Sequence, residues 1–316
     1  MTTLEVGVLM DPIGAIKTKK DSTFAMLLEA QRRGHRLWYA TQRELWLDGG
    51  DAWGRLAPLT VRDDPARWFE LGQAEPRRLS TCRVFLARKD PPFENQFLYD
   101  TLVLERAAAA GTLVVNAPRA LRDANEKLFA LEFPECIPET RVARDAALLR
   151  AFVDEVGEAV LKPLDGMAGR SVFRTHRGDP NLNVILETLT GDGRELAMAQ
   201  RYVREITDGD KRILVIDGEP VPYCLARIPQ GDDFRGNLAR GGKGVGRELS
   251  ASDRRIAAAV GPELVRRGIV FAGLDVIGDR LTEINVTSPT GIRELDAQFG
   301  LNIAGMLFDA IERRLM

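Results

Sequence analysis

The fold is decided by the stretch GLDVIGDRLTEINVTSP, residues 273–289. Gly278 and Asp279 are a typical hairpin-turn pair, and the residues on both sides of them are largely apolar and β-branched. Folding the chain at this turn places Asp275 within about one position of facing Glu283. Asn285 lies on the same face as Glu283, because side chains alternate along a strand. One face of a hairpin that is otherwise apolar therefore carries three oxygen-bearing side chains.

Carboxylates in such an apolar setting need cationic partners, because burying an unpaired charge is costly. Oxygen ligands without His or Cys are typical of Mg²⁺ or Mn²⁺ held together with substrate phosphates. We therefore predict that Asp275, Glu283 and Asn285 bind a divalent metal. The alternative is a hairpin that is only salt-bridged, with Arg280 and Arg293 as the partners.

Earlier in the chain than the hairpin, the segment LKPLDGMAG at 161–169 is a candidate phosphate-binding loop. It places Lys162 on a strand and then turns through Gly166 and Gly169, where backbone amides can approach phosphate oxygens. The alternative is an ordinary turn with a surface lysine. The sequence contains neither GxxxxGK[ST] nor GxGxxG, which argues against a Walker NTPase and a dinucleotide-binding dehydrogenase.

A second glycine-rich segment, QGDDFRGNLARGGKGVG at 230–246, is predicted to be a long loop. Long loops without structure of their own are often lids, and the cations of this one suit an anionic substrate. The alternative is a solvated linker.

Composition limits the function. The 316 residues carry a formal net charge of −2, so no global cationic field is available to hold nucleic acid. No apolar run reaches the roughly 18 residues of a membrane-spanning helix. Three cysteines without a CxxC and only two histidines argue against a disulfide framework, a zinc site and a serine triad. We expect a cytoplasmic protein with no nucleic-acid or membrane partner.

The pattern of predicted helices and strands differs between two parts of the chain. Residues 4–116 alternate strand-like and helix-like patterns, which predicts a parallel sheet covered by helices. From about residue 118 the pattern changes, with a helix predicted over 119–131 and then a mixture of helices and antiparallel strand pairs. The overall prediction is α/β followed by α+β.

Several strings together resemble the prokaryotic glutathione synthetases, a family with the ATP-grasp fold. They are NEKLF (125–129), LKPLDGMAG (161–169), DGDKR (208–212), PYCLARIPQG (222–231), GNLARGGKG (236–244), LDVIGDRLTEINVTSPTGIRE (274–294) and, near the N-terminus, LMDP, STFAMLLEAQRRGH and FLARKDPPF. The resemblance covers essentially the whole chain. It implies a Rossmann-like (pre-ATP-grasp) N-terminal domain at 1–122, a central ATP-grasp lobe at 123–200 and a C-terminal lobe at 201–316 with a lid at 228–246.

The resemblance implies ATP-dependent ligation of γ-glutamylcysteine to glycine, giving ADP and phosphate through an acyl phosphate. It implies Mg²⁺ or Mn²⁺ on the three hairpin residues, catalytic roles for Arg212 and Arg227 near the reacting carboxylate, and a homotetramer. It also implies nucleotide contacts from Lys127, Lys162, Gly166, Met167, Gly169, Gln200, Tyr202, Val203 and Asp210. One departure is Ala168, where the family often has a second consecutive glycine.

Some assignments rest on the residues alone. Arg88, Ser288 and Thr290 are candidate contacts for substrate carboxylates, because loop arginines and hydroxyls suit them. No general base is assigned. Within the fold, the alternative function is another carboxylate–amine ligase, specific for D-alanine or glutamate. From a different class, the alternative is a nucleotide-sensing protein without turnover.

The lid hypothesis predicts protection from limited proteolysis. Cleavage at Arg235, Arg240 or Lys243 should slow when ATP, Mg²⁺ and substrate are added together, because a closed lid is less accessible. Fragment mapping by mass spectrometry checks this result. Equal cleavage with and without ligands would favour the linker.

Overall fold

A sheet of eight strands forms the N-terminal part of the molecule. The computed structural model describes residues 3–167, 169–230, 236 and 243–316. The strands are β1 (Glu5–Met10), β2 (Arg36–Ala40), β3 (Leu45–Asp48), β4 (Asp51–Val61), β5 (Phe69–Leu71), β6 (Glu75–Arg78), β7 (Val84–Arg88) and β8 (Leu113–Val115). Strands β2, β1, β7 and β8 are parallel neighbours in that order, which confirms the predicted parallel sheet. Helices α1 (Ser22–Arg32), α2 (Asn95–Ala109) and α3 (Pro118–Asp123) follow β1, β7 and β8.

The sequence analysis did not identify strands β3 to β6. They form an antiparallel extension in which β2, β3, β5 and β6 all pair with β4. Prolines and charged residues interrupt the alternation over 45–78, so the period-two signal is weak there.

The second sheet has four antiparallel strands. They are β9 (Thr140–Ala143), β10 (Glu158–Pro163), β11 (Phe173–His176) and β12 (Ala197–Arg201), in the order β11–β10–β12–β9. Helices α4 (Ala146–Val156) and α5 (Leu182–Thr190) pack on this sheet around a small apolar core. Asp145 begins α4 by accepting a hydrogen bond from the Ala147 amide at 2.8 Å.

The third sheet contains the hairpin from which the sequence analysis began. Its strands are β13 (Asp210–Ile216), β14 (Glu219–Ile228), β15 (Lys243–Glu248), β16 (Phe271–Ile277) and β17 (Arg280–Asn285), in the order β15–β14–β13–β16–β17. Helices α6 (Ala251–Arg267), α7 (Ile292–Phe299) and α8 (Ile303–Leu315) complete the chain. Asp275 lies directly opposite Glu283, within the one position predicted, and Gly273 lies opposite Asn285. A β-bulge between the turn and this pair shifts the register from the one that the turn alone would give. These three sheets fit the ATP-grasp architecture, whereas the domain limits at 122 and 200 stay predictions.

Two local predictions were wrong. The loop predicted over 230–246 already becomes strand at Lys243, because β15 pairs with β14; Arg235 and Arg240 lie outside the described residues. The helix predicted over 119–131 ends at Asp123, and only a short 3₁₀ turn follows at Phe129–Glu132. The break occurs because the Asn125 side chain accepts hydrogen bonds from the amides of Lys127 and Leu128.

The C-terminal helix returns to the N-terminal domain. Arg33, which caps the C-terminus of α1, donates hydrogen bonds to Asp309 at 2.7 Å and to the Gly305 carbonyl at 2.9 Å on α8. His35 lies 3.2 Å from Glu312 on the same helix. The first and last elements of the chain therefore support each other. None of the helices in the described part of the chain is long and apolar enough to span a membrane.

Asn116 joins the N-terminal sheet to the third sheet. Its side chain is buried and makes four hydrogen bonds: it accepts from the amides of Val270 and Phe271 and donates to the carbonyls of Phe271 and Val286, all within 2.9 Å. Every hydrogen-bonding site of the amide is thus used in holding the N-terminal sheet to the third sheet.

Replacing Asn116 by Ala should destabilise the protein by about 2–4 kcal/mol, because several buried backbone groups lose their partners together. Urea denaturation followed by circular dichroism measures the change. The matched control is Asn181→Ala, since Asn181 is exposed and its side chain does not cap α5. Equal midpoints for the two variants would contradict the role given to Asn116.

Candidate active site

Lys162 points from β10 of the second sheet toward β17 of the third. Its ammonium lies 3.4 Å from Gln200 Oε1, 3.5 Å from the Thr282 carbonyl and 3.5 Å from Glu283 Oε1. Burial lowers the pKa of Lys162, and the Glu283 carboxylate opposes this effect. The residue is only 5% exposed, so the alternative of a surface lysine is wrong.

Lys127 approaches the same carboxylate from the segment between α3 and β9. Its ammonium donates to the Gly166 carbonyl at 2.7 Å and lies 3.9 Å from Glu283 Oε1. Asn125 fixes this segment, since its amide also donates to the Leu164 carbonyl. Burial acts to raise the pKa of Glu283, but Lys127 and Lys162 more than offset it, and the pKa is lowered.

Asp275 is held by two arginines from neighbouring strands. Arg212 on β13 donates to both carboxylate oxygens at 2.6 and 2.9 Å, and Arg227 on β14 lies 2.8 Å from Oδ2. Burial alone would raise the pKa of Asp275, yet the two guanidinium groups hold it below its ordinary value. The alternative of a hairpin that is only salt-bridged predicted Arg280 and Arg293 as the partners of these carboxylates. That prediction is wrong, because Arg280 pairs with Asp279 and Arg293 pairs with Asp63.

Asp210 shares Arg227 with Asp275. Its Oδ2 accepts from the Arg227 guanidinium, while its Oδ1 is buried without a partner among the described residues. Burial raises the pKa of Asp210 to about 7, because it outweighs the opposing effect of Arg227. An additional polar partner at Oδ1 would therefore stabilise this carboxyl.

Glu126 is a residue of this site that sequence reasoning missed. It sits between Asn125 and Lys127 in the NEKLF string, and an acidic residue beside a predicted phosphate-binding lysine was the available signal. Burial and, after it, the charge of Glu283 raise the pKa of Glu126 to about 7. The site thus combines four cations with four carboxylates: Lys127, Lys162, Arg212 and Arg227 with Glu126, Asp210, Asp275 and Glu283.

A cleft of about 860 Å³, called here the lobe cleft, separates the second and third sheets. It is bounded by eight of the nine residues for which nucleotide contacts are predicted: Lys127, Lys162, Gly166, Gly169, Gln200, Tyr202, Val203 and Asp210. The ninth, Met167, faces other clefts. Arg174 stacks on Tyr202 at 4.0 Å and fixes one wall. Ala168 lies outside the described residues.

A second cleft of about 940 Å³, called here the inner cleft, adjoins it. Arg212, Arg227, Asn285, Ser288 and Thr290 line this inner cleft. Gly166, Asp275 and Glu283 line both clefts, so the two spaces meet at the charged cluster. A ligand in one cleft can therefore react with a ligand in the other at this junction.

The structure does not bring Arg88 into either cleft. Its guanidinium is buried, donates to Thr23 Oγ1 at 3.1 Å and to the Pro289 carbonyl at 2.9 Å, and lies over the Phe271 ring. Burial lowers the pKa of Arg88 to about 10. In this arrangement Arg88 supports the turn that carries Ser288 and Thr290.

The hairpin residues fit a divalent metal in their donor chemistry. Asn285 uses its amide nitrogen on the Gly273 carbonyl at 3.3 Å, which leaves its oxygen for a ligand. Among the described residues, the partners of the Glu283 carboxylate are ammonium groups 3.5 and 3.9 Å away. Within the described ranges no three His, Cys, Asp or Glu side chains form a complete metal site. An ion here would need further oxygen ligands from a substrate, as Mg²⁺ commonly does.

Comparison with known proteins identifies the family. The model for the N-terminal domain of prokaryotic glutathione synthetase matches residues 4–122, and the model for its ATP-grasp domain matches residues 126–300. The chain belongs to the prokaryotic glutathione synthetase family. Among its relatives, glutathione synthetase of Xanthomonas campestris pv. campestris is 66% identical, over 98% of each chain. That of Salmonella typhimurium is 55% identical, over 99% of each chain.

Solved structures agree on the fold. D-cycloserine synthetase superposes with a TM-score of 0.68 at 19% identity, covering 98% of this chain and 100% of its own. The ATP-grasp ligase PsnB, bound to a minimal precursor, Mg and ADP, gives 0.61 at 17% identity over 98% of each chain. These similarities confirm the ATP-grasp fold. With the glutathione synthetase relatives, they establish an ATP-dependent ligase, of a family that uses ATP and a divalent metal.

Replacing Glu283 by Gln should lower turnover at least about 100-fold, because a group at the junction of both clefts loses its charge. The melting temperature should change little by comparison. Coupled ADP release and thermal unfolding measure the two effects. The matched control is Glu219→Gln, on the exposed end of β14. Near-full activity of the Glu283 variant would show that this carboxylate holds no catalytic metal.

Proposed function

We propose that this glutathione synthetase family member joins γ-glutamylcysteine to glycine with cleavage of ATP to ADP and phosphate. One observation carries the site assignment: Asp275 and Glu283 line both the lobe cleft and the inner cleft. ATP in the lobe cleft would direct its terminal phosphate to this junction. The acid in the inner cleft would present its carboxylate to the same point.

The reaction needs activation, because a carboxylate is a poor electrophile. The cysteinyl carboxylate attacks the γ-phosphorus of ATP, an oxygen–phosphorus bond forms, and ADP leaves with the electrons of the broken bond. The glycine amine then attacks the acyl carbon and expels phosphate, with loss of a proton from nitrogen. The first step joins two anions, so stabilisation of charge must dominate.

The lysines and the arginines would stabilise different negative charges in the reaction. Lys127 and Lys162, which are compact buried cations beside Glu283, would contact the phosphates. Arg212 is fixed by its two bonds to Asp275, and its Nη1 has no hydrogen-bond partner among the described residues. That nitrogen would hold the carboxylate, and Arg227 would stabilise the oxyanion of the second step.

Asp275, Glu283 and Asn285 would hold the divalent ion. When bound, it supplies positive charge against the phosphate oxygens. We propose Mg²⁺ or Mn²⁺ because the donors are all oxygens. Asp210 Oδ1, buried and unpartnered among the described residues, would accept a hydrogen bond from the ribose.

The setting of the enzyme is also a proposal. Cys82, Cys136 and Cys224 are free and buried, which suits the reducing cytoplasm. A homotetramer is supported by the resemblance and by the exposed apolar side chains Leu47, Tyr99 and Leu102 on the packed elements β3 and α2.

Phosphate release over a small matrix of acids and amines tests the substrates. We expect γ-glutamylcysteine with glycine to give the highest kcat/KM, with glutathione detected by mass spectrometry. Glutamate or D-alanine as the acid should react at least about 100-fold more slowly, because each lacks the contacts of the full dipeptide. Faster turnover with a D-alanine or glutamate pair would favour the alternative ligase.

A further inference from the structure

A third cleft opens beside the inner cleft, on the side of Phe93 and Arg144. Its volume is about 1230 Å³, and it is called here the side cleft. Pro91, Glu126, Gly166 and Met167 line both the side cleft and the inner cleft. The reacting centre can thus be approached from two sides, from the lobe cleft and from the side cleft.

Glu126 stands at the boundary between the side cleft and the inner cleft. Its backbone position is fixed, because its carbonyl accepts a hydrogen bond from the Ile284 amide of β17 at 2.8 Å. The preceding residue, Asn125, is also held in place. Its side chain donates a hydrogen bond to the Leu164 carbonyl and accepts hydrogen bonds from the amides of Lys127 and Leu128. The carboxylate therefore extends from a rigid segment and not from a mobile loop.

The Glu126 carboxylate differs from the other three carboxylates of the site in its partners. Asp275 is paired with two arginines, Asp210 with Arg227, and Glu283 with two lysines. Among the residues that the structure describes, Glu126 has no hydrogen-bond or ion-pair partner for its side chain. A partly buried carboxylate of this kind favours a cationic ligand.

The amine substrate is such a ligand, because a free amino acid carries an ammonium group at neutral pH. We propose that Glu126 binds the ammonium of glycine, which reaches the inner cleft through the side cleft. This inference rests on the proposed ligase function. The nucleotide and the amine then approach the acyl carbon from opposite sides, so the amine does not cross the phosphates.

The test compares two nucleophiles on the Glu126→Gln variant. The KM for glycine should rise at least about tenfold, because a charge-assisted contact is lost. Hydroxylamine is largely uncharged at neutral pH and traps an acyl phosphate directly. Phosphate release with γ-glutamylcysteine and hydroxylamine should change less than about twofold. The KM for ATP and the Mg²⁺ requirement should stay the same, and Glu126→Asp should recover part of the glycine affinity.

The matched control is Glu135→Gln, which removes the same charge from an exposed position on the same connecting segment. An unchanged KM for glycine in the Glu126→Gln variant would overturn the proposal. So would an equal loss with both nucleophiles, or a shifted Mg²⁺ requirement, since these indicate a structural or metal-binding role. Failure of the proposed function is distinguishable, because the wild-type enzyme would then release no phosphate with γ-glutamylcysteine and glycine.

Discussion

The buried ion pairs of Asp275 are the constraint on which the site depends. A carboxylate at this depth is tolerated only because Arg212 and Arg227 bond to it from the two preceding strands of the same sheet. Removing one partner of such a buried pair typically costs about 3–5 kcal/mol. The register of β13, β14 and β16 is therefore coupled to the charge of the cluster, and a slip of one residue would separate the three side chains.

The charges around Asp275 determine which charged ligands the site can accept. Four cations face four carboxyl groups in the described part of the site, so much of the buried charge is compensated before any ligand binds. A nucleotide polyanion arriving with divalent metal ions preserves that balance. The ammonium groups near Glu283 are 3.5 and 3.9 Å away, which is long for an ion pair.

Much of this arrangement could be predicted from the sequence, because it depends on local patterns. The Gly278–Asp279 turn brings Asp275 to within one position of Glu283, and a β-bulge in the hairpin, which the sequence did not predict, makes the two directly opposite. The strand period places Asn285 on the same face as Glu283. The cationic partners could not be predicted in this way. Arg212 and Arg227 reach Asp275 through the strand order of the sheet, whereas hairpin proximity alone suggested Arg280 and Arg293. The resemblance placed these arginines near the site but did not pair them with Asp275.

The sequence analysis also did not predict that a side chain would accept hydrogen bonds from backbone amides that a helix would otherwise use. The apolar spacing over 119–131 is that of a helix, but Asn125 takes the amides that the helix would use, and the Glu126 carbonyl goes to β17. The position of Glu126, whose side chain has no partner within the described part of the chain, follows from that break. Strands β3 to β6 were missed for a different reason, since β3, β5 and β6 are stabilised by pairing with β4, and β4 by pairing with β2, and not by a local pattern.

Gly166 lies on the walls of the lobe, inner and side clefts, and its carbonyl accepts a hydrogen bond from the Lys127 ammonium. A side chain has no space there, because a Cβ would lie 2.7 Å from Pro163 Cγ. The backbone at Gly166 thus forms part of the wall of all three clefts. If it is displaced, one cleft becomes larger and another becomes smaller. Affinities for nucleotide, acid and amine are then thermodynamically linked, and the linkage is reciprocal: whatever one ligand does to the binding of a second, the second does to the first.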